Sequence, residues 1–182
     1  MKKIITIFLA IFFISTSSNS NENEIRLNNL FEKLKIQNHS IAIDTEMKIW
    51  DIWTKHPTNQ NLTSLLSRGT KFMNQEQYSV AVDIFTTVIK KDPAWAEAWN
   101  KRATVFYLIG EYQKSQDDIN KVLKLEKRHF GALAGQGLVN IKLENYEKAI
   151  KSYEKAQQIY PSMQSPKIMI EKIEELIKKQ SI

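Results

Sequence analysis

Three tyrosines, Tyr78, Tyr112 and Tyr146, stand 34 residues apart, and the columns around them repeat at the same offset. Ala81, Ser115 and Ala149 are small, whereas Phe85, Ile119 and Tyr153 are large and apolar, as are Leu65, Trp99 and Leu133. Pro93 and Pro161 lie two periods apart. A period of this length makes a stacked array of small units, none of which can bury its apolar face alone. Within each unit two stretches of 3.6-residue apolar spacing flank a polar or glycine break, at Asn74–Gln77, Gly110–Glu111 and Glu144–Asn145. Each unit therefore reads as helix–turn–helix. With 5 Gly and 4 Pro in 182 residues the chain has too few turn formers for a loop-rich all-β fold. The absence of cysteine excludes a disulfide framework and a thiolate zinc site.

These residues resemble the tetratricopeptide repeat, a 34-residue unit with the pattern W-x2-L-G-x2-Y, then A-x3-F, then P. Three units are readable, at 62–95, 96–129 and 130–163. The first fills the pattern with Leu65, Gly69, Phe72, Ala81, Phe85 and Pro93. The second supplies Trp99, Ala103, Phe106, Ser115 and Ile119, and the third Leu133, Gly137, Ala149, Tyr153 and Pro161. Gly69, Ala103 and Gly137 are small where two helices must approach closely. Arg68, Arg102 and Gln136 stand where the pattern has leucine, Asn140 replaces an aromatic, and Lys127 replaces the closing proline. The fold class implied is all-α: a right-handed helical solenoid of three helix pairs with an N-terminal helical hairpin and a C-terminal capping helix.

The end segments must cover the stacking faces of the array. At 165–180, Ser165 and Pro166 suit the start of a helix, and Met169, Ile170, Ile173, Leu176 and Ile177 then form one stripe. On the other side, residues 22–57 read as a hairpin of two amphipathic helices, Glu24–Ile36 and about Ile43–Lys55, packed on the first unit. Trp50 and Trp53 share a turn of the second helix. They suit core packing best, and a binding surface second.

The N-terminus reads as an address. Lys2 and Lys3 precede an eleven-residue apolar run, Ile4–Ile14, interrupted only by Thr6, and a Ser-rich stretch follows. A bilayer span needs about 20 apolar residues, so residues 1–18 are expected to be a cleavable signal peptide rather than an anchor. Cleavage after Ser18 would lower the net charge from +6 to +4, leaving 24 basic against 20 acidic residues. Without cysteine the chain cannot be an acylated lipoprotein, so a periplasmic protein without stable membrane insertion is expected. KIWDIW, AEAWNKRATVFYLIGEY and LEKRHFGALAGQGL together resemble a group of short exported repeat proteins of alphaproteobacteria, which implies no reaction or ligand.

Chemistry-bearing constellations are sparse. His39, His56 and His129 fall at helix ends without an i, i+4 partner, so no metal and no cofactor are expected. Asp117–Asp118 and Glu174–Glu175 are sequence neighbours, which point apart on a helix, and read as solvated surface. The chain is expected not to be an enzyme. Basic residues are not dense enough for a nucleic-acid partner, although Lys101, Arg102, Lys127 and Arg128 form a cluster that suits acidic partners or a solvated face.

What remains is the concave face that the resemblance implies, lined by the first helix of each pair. The candidate groove residues are Leu66, Thr70, Met73, Glu97, Asn100, Thr104, Tyr107, Leu138 and Ile141. One branch of the family clamps a C-terminal carboxylate there. In this chain Leu66, Thr70, Gly131 and Gly135 replace the clamp residues, so that use is disfavoured. The resemblance implies a non-catalytic interaction module of the bacterial cell envelope that binds a protein or peptide partner, as a monomer or weak homo-oligomer. The alternatives are a periplasmic carrier of an apolar small molecule and a non-catalytic accessory to an envelope enzyme. Whether the leader hairpin leaves the groove open or covers it is undecided at this level.

Overall fold

The computed structural model describes residues 22–36 and 38–180, and the expected signal segment at 1–18 lies outside them. Among the described residues there are nine helices and no strand. They are α1 (22–34), α2 (His39–Thr54), α3 (Gln60–Asn74), α4 (Tyr78–Lys91), α5 (Ala96–Leu108), α6 (Tyr112–Leu125), α7 (Phe130–Lys142), α8 (Tyr146–Ile159) and α9 (Gln164–Gln180). α3–α4, α5–α6 and α7–α8 pack as pairs, and each pair packs on the next through α4–α5, α6–α7 and α8–α9. The chain is an all-α solenoid, as the period implies.

The pairs close tightly for a reason visible in the small-residue columns. A Cβ at Gly69 would lie 2.6 Å from Cε1 of Phe85, and one at Gly137 would lie 2.5 Å from the Tyr153 ring. Each turn between paired helices also repeats its geometry at the same offset. Glu76, Gly110 and Glu144 have φ of 59°, 80° and 58°. Their neighbours close the same hydrogen bond across the helix end: Gln77 N to Phe72 O at 2.9 Å, Glu111 N to Phe106 O at 2.9 Å, and Asn145 N to Asn140 O at 2.8 Å. This left-handed cap satisfies carbonyls that the helix leaves unpaired. Only Gly110 is free of the Cβ strain it imposes.

α9 begins at Gln164, one residue before the expected start, and Pro166 is buried within its first turn. A proline is tolerated there because the first helical N–H groups have no intrahelical acceptor. Ile173 is buried with Ala149 and Tyr153, and Met169, Ile170 and Ile177 pack around them.

The leader hairpin departs from expectation. Its second helix starts at His39, four residues early, because the Asn38 side chain accepts a hydrogen bond from Ile41 N at 3.1 Å and so caps it. It also does not rest mainly on the first unit. Leu27, Phe31, Leu34, Ala42, Ile49 and Trp53 share one core with Phe130 and Tyr160. Trp95 Nε1 donates to Trp53 O at 2.9 Å, Tyr160 Oη donates to Glu46 at 3.1 Å, and Arg128 donates to Glu24 at 3.0 Å and to Asn28. The first unit is reached at its edges, through that Trp95 bond and through His56, whose N–H donates to Thr63 at 2.8 Å and whose ring lies 2.8 Å from Asp92. The reason is aromatic matching: α2 presents two indoles, and the start of α7 presents Phe130 beside the bare backbone of Gly131.

Candidate functional site

The leader hairpin decides how much of the concave face is open. A Cβ at Gly131 would lie 2.7 Å from the Trp50 ring, so the indole occupies the space a side chain there would need. Trp53 stacks on His129 with ring centroids 4.1 Å apart and planes 10° apart. Beneath the two indoles lies a sealed polar cluster. His129 Nδ1 accepts from Ala132 N at 3.1 Å, capping α7, while Nε2 lies 3.1 Å from Glu97 Oε2. The capping bond requires an unprotonated Nδ1, so the hydrogen on Nε2 donates to the carboxylate. Asn100 Nδ2 donates to the same Glu97 oxygen at 3.0 Å, and Lys101 Nζ lies 3.2 Å from the other. Burial by itself raises the Glu97 pKa, but the His129 hydrogen bond and the Lys101 ammonium outweigh it and hold the carboxyl below its ordinary 4.5.

Past this plug the face opens into a cleft of about 80 Å³ between α5 and α7. Asn100, Thr104 and Tyr107 line it from α5, and Gly131, Gly135 and Leu138 from α7, with Ser115 and Ile119 of α6 behind. Gly135 makes the room: a Cβ there would only just reach Ile119 Cδ1, at 3.8 Å. The polar groups are partly committed. Thr104 Oγ1 donates to Asn100 O at 3.0 Å, and Ser115 Oγ donates to Ala103 O at 2.8 Å. Tyr107 rests on Tyr112 with ring centroids 5.7 Å apart. Burial, with a smaller contribution from Tyr107, pushes the Tyr153 phenol above its ordinary range, so it stays protonated.

Of the nine candidate groove residues, the cleft brings together Asn100, Thr104, Tyr107 and Leu138. The others go elsewhere. Leu66 is buried at 2% exposure in the core of the first pair, with Phe85 and Val88. Thr70 and Met73 are half-buried on α3, Thr70 donating to Leu66 O at 3.0 Å and Met73 packing on that core. Glu97, expected as a polar point of the groove, is 1% exposed and locked to His129. Ile141 packs with the capping helix around Ile173. Two further readings are corrected. Asp118 is not solvated: Arg102 grips it through two hydrogen bonds at 2.7 and 2.8 Å. The basic cluster is largely neutralised from within, with Lys101 on Glu97, Arg102 on Asp118, and Arg128 on Glu126 and Glu24. Ala103, Ser115 and Ile119 were missed as lining residues, although the glycines at 131 and 135, one turn apart, mark where α7 carries no side chains.

Two stretches match family profiles described as tetratricopeptide repeat, residues 66–118 and residues 130–163. A TPR repeat-containing protein of Rhizobium etli is 31% identical over 141 residues, which cover 75% of this chain and 67% of that protein. The chain belongs to the tetratricopeptide repeat family. Human RNA polymerase II-associated protein 3 is 24% identical over 107 residues, and the matched part is only 16% of its length. Among solved structures, the first tetratricopeptide domain of Spaghetti (RPAP3), bound to an HSP90 peptide, superposes with a TM-score of 0.63 at 23% identity. It covers 65% of this chain and 94% of that one. The Sgt2 tetratricopeptide domain of Aspergillus fumigatus superposes at 0.64 with 22% identity, covering 68% and 83%. At these identities the likeness is one of fold.

Proposed function

We propose that this tetratricopeptide-repeat chain is a non-catalytic interaction module that binds a peptide or helix of another protein in the α5–α7 cleft. The observation that carries the reading is the cleft itself, apolar at its base and rimmed by Thr104, Tyr107 and Leu138 beside the plug made by Trp50. At about 80 Å³ it takes a side chain rather than a whole ligand, since small-molecule sites run to about 300–1,000 Å³. The carrier alternative is weaker for that reason. The Spaghetti domain above holds an HSP90 peptide, which supports a peptide as occupant. With Leu66, Thr70, Gly131 and Gly135 at the clamp positions, the anchor here is an apolar side chain rather than a terminal carboxylate.

The place of action follows from the N-terminal signal pattern: export, cleavage near Ser18, and a partner in the cell envelope. Intact mass of the exported chain tests this part, a start near Asn19 being expected and retention of residues 1–18 counting against it. For the cleft, the mature chain and a Tyr107→Ala, Leu138→Ala double variant of unchanged helicity are compared in capture from an envelope extract. A protein recovered by the wild type and lost by the variant is expected. Equal recovery by both would move the binding surface away from the cleft.

A further inference from the structure

α7 carries a second cleft on its other side. Gly131, Gly135 and Leu138 face the apolar cleft, whereas Gln136, Asn140 and Leu143 line a cavity of about 440 Å³ between α6 and α8. The two stripes are offset by five residues, about 140° around the helix. The lining is almost wholly polar, and no carboxylate contributes to it. Its floor is a net of carboxamides. Gln116 Nε2 donates to Asn120 Oδ1 at 2.9 Å, Asn140 Nδ2 donates to Gln116 Oε1 at 3.4 Å, and Ser152 Oγ donates to Gln136 Oε1 at 3.1 Å. Its rim is a row of exposed lysines on α8, Lys148, Lys151 and Lys155, one face of the helix about 10 Å long. Among the described residues none of the three makes an ion pair.

The repeat supplies its own control one unit earlier. There the same positions hold Phe106 for Asn140, Arg102 for Gln136, Asp118 for Ser152 and Asp117 for Lys151. Arg102 stacks on Trp99 and Phe106 at 5.0 and 5.5 Å and closes on Asp118, so that junction is filled. The third unit has exchanged the plug for amides and the acid for a lysine.

We infer that the α6–α8 cleft binds an acidic oligosaccharide, with the lysine row taking its carboxylates and the amide net its hydroxyls. Unpaired lysines beside a carboxylate-free cavity select an anion. Carboxamides both donate and accept, as hydroxyls do. An acidic peptide fits less well, because peptide recognition rests on buried apolar or aromatic anchors and Leu143 is the sole apolar residue in the lining. The site is independent of the α5–α7 cleft.

The probe is a galacturonate hexamer, titrated into the mature chain and followed through the side-chain amide signals of Gln116, Asn120 and Asn140. A neutral glucose hexamer and a hexaglutamate peptide serve as comparisons. Saturable binding of the uronate is expected, with both comparisons weaker by about tenfold or more. Lys151→Asp, which restores the residue of the preceding unit on an exposed position, should weaken it by about tenfold. Asn140→Phe should abolish it while leaving the melting temperature unchanged or raised. If that variant misfolds, Lys151→Asp carries the test by itself. Absence of saturable uronate binding, binding unchanged in Lys151→Asp, or hexaglutamate binding as tight as the uronate would each overturn the assignment.

Discussion

The two junctions between successive repeats share a backbone plan and differ in what fills them. Between α4 and α6 the space is closed by Phe106 and by Arg102, which reaches Asp118 on one side and Thr86, at 3.0 Å, on the other. Between α6 and α8 the same columns hold Asn140, Gln136, Ser152 and Asn120, tied by neutral hydrogen bonds around a cavity. The backbone tolerates both because pairing is set by other columns, above all the close approaches at Gly69 and Gly137. The lesson is that the period specifies the scaffold, while the columns that break it decide where the surface is open.

The filled junction loses most when one half of its buried ion pair is removed. Arg102→Ala leaves Asp118, 6% exposed in its side chain, without its cation, and should cost about 3–5 kcal/mol in denaturant unfolding. Gln136→Ala at the matching position should cost about 1 kcal/mol, since only two neutral hydrogen bonds go, one of them long at 3.5 Å. Gly137→Ala falls between these two: its Cβ would press on the Tyr153 ring, for a loss of about 1–3 kcal/mol. Gly135→Ala, two residues away, meets nothing closer than 3.8 Å and should gain about 0.4–1 kcal/mol while narrowing the cleft. Transplanting the second junction into the first, Arg102→Gln with Asp118→Ser, removes both charges together and should change stability by less than about 1 kcal/mol. That near-neutral double variant beside a costly single one separates stranded charge from lost packing. Equal costs for the single and double variants would sink the explanation.

Acid sharpens a different contrast, between the leader and the repeats. Glu97 is held below 4.5 by His129 and Lys101 against its burial, and Glu126 is likewise held low by Arg128 against its own. A carboxylate with a depressed folded pKa contributes fully above its ordinary value and loses that contribution as pH falls through the folded value. Titration downward from pH 5 should therefore alter the fluorescence of Trp53, stacked on His129, before helicity is lost. Glu97→Gln should remove most of that early change.

The helix pairs were legible because their residues recur: Tyr78, Tyr112 and Tyr146 and the small columns around them carry the packing information three times over. The leader was not, since its contacts occur once. Nothing in the spacing of Trp50 and Trp53 says that their counterparts are Gly131 and His129 rather than the first repeat. Glu97 was misjudged for the same reason: its column faces the groove, and its burial depends on an indole from a distant helix. Asn140 and Gln136 were visible as departures from the pattern, whereas Ser152 stands in a column that the pattern leaves unspecified. Counting columns marks such positions as weak matches, whereas side by side with Phe106, Arg102 and Asp118 they outline a cavity.

A solenoid held only by neighbour-to-neighbour contacts can lose its units one at a time. Here Arg128 meets Glu24 across 104 residues of chain and Tyr160 meets Glu46 across 114. These clasps join the leader to the end of the second repeat and to the end of the third. The end of the array therefore cannot fray without releasing the leader, and unfolding should proceed as one cooperative transition. A chain lacking residues 22–57 should instead melt broadly, in steps, from the capping helix inward.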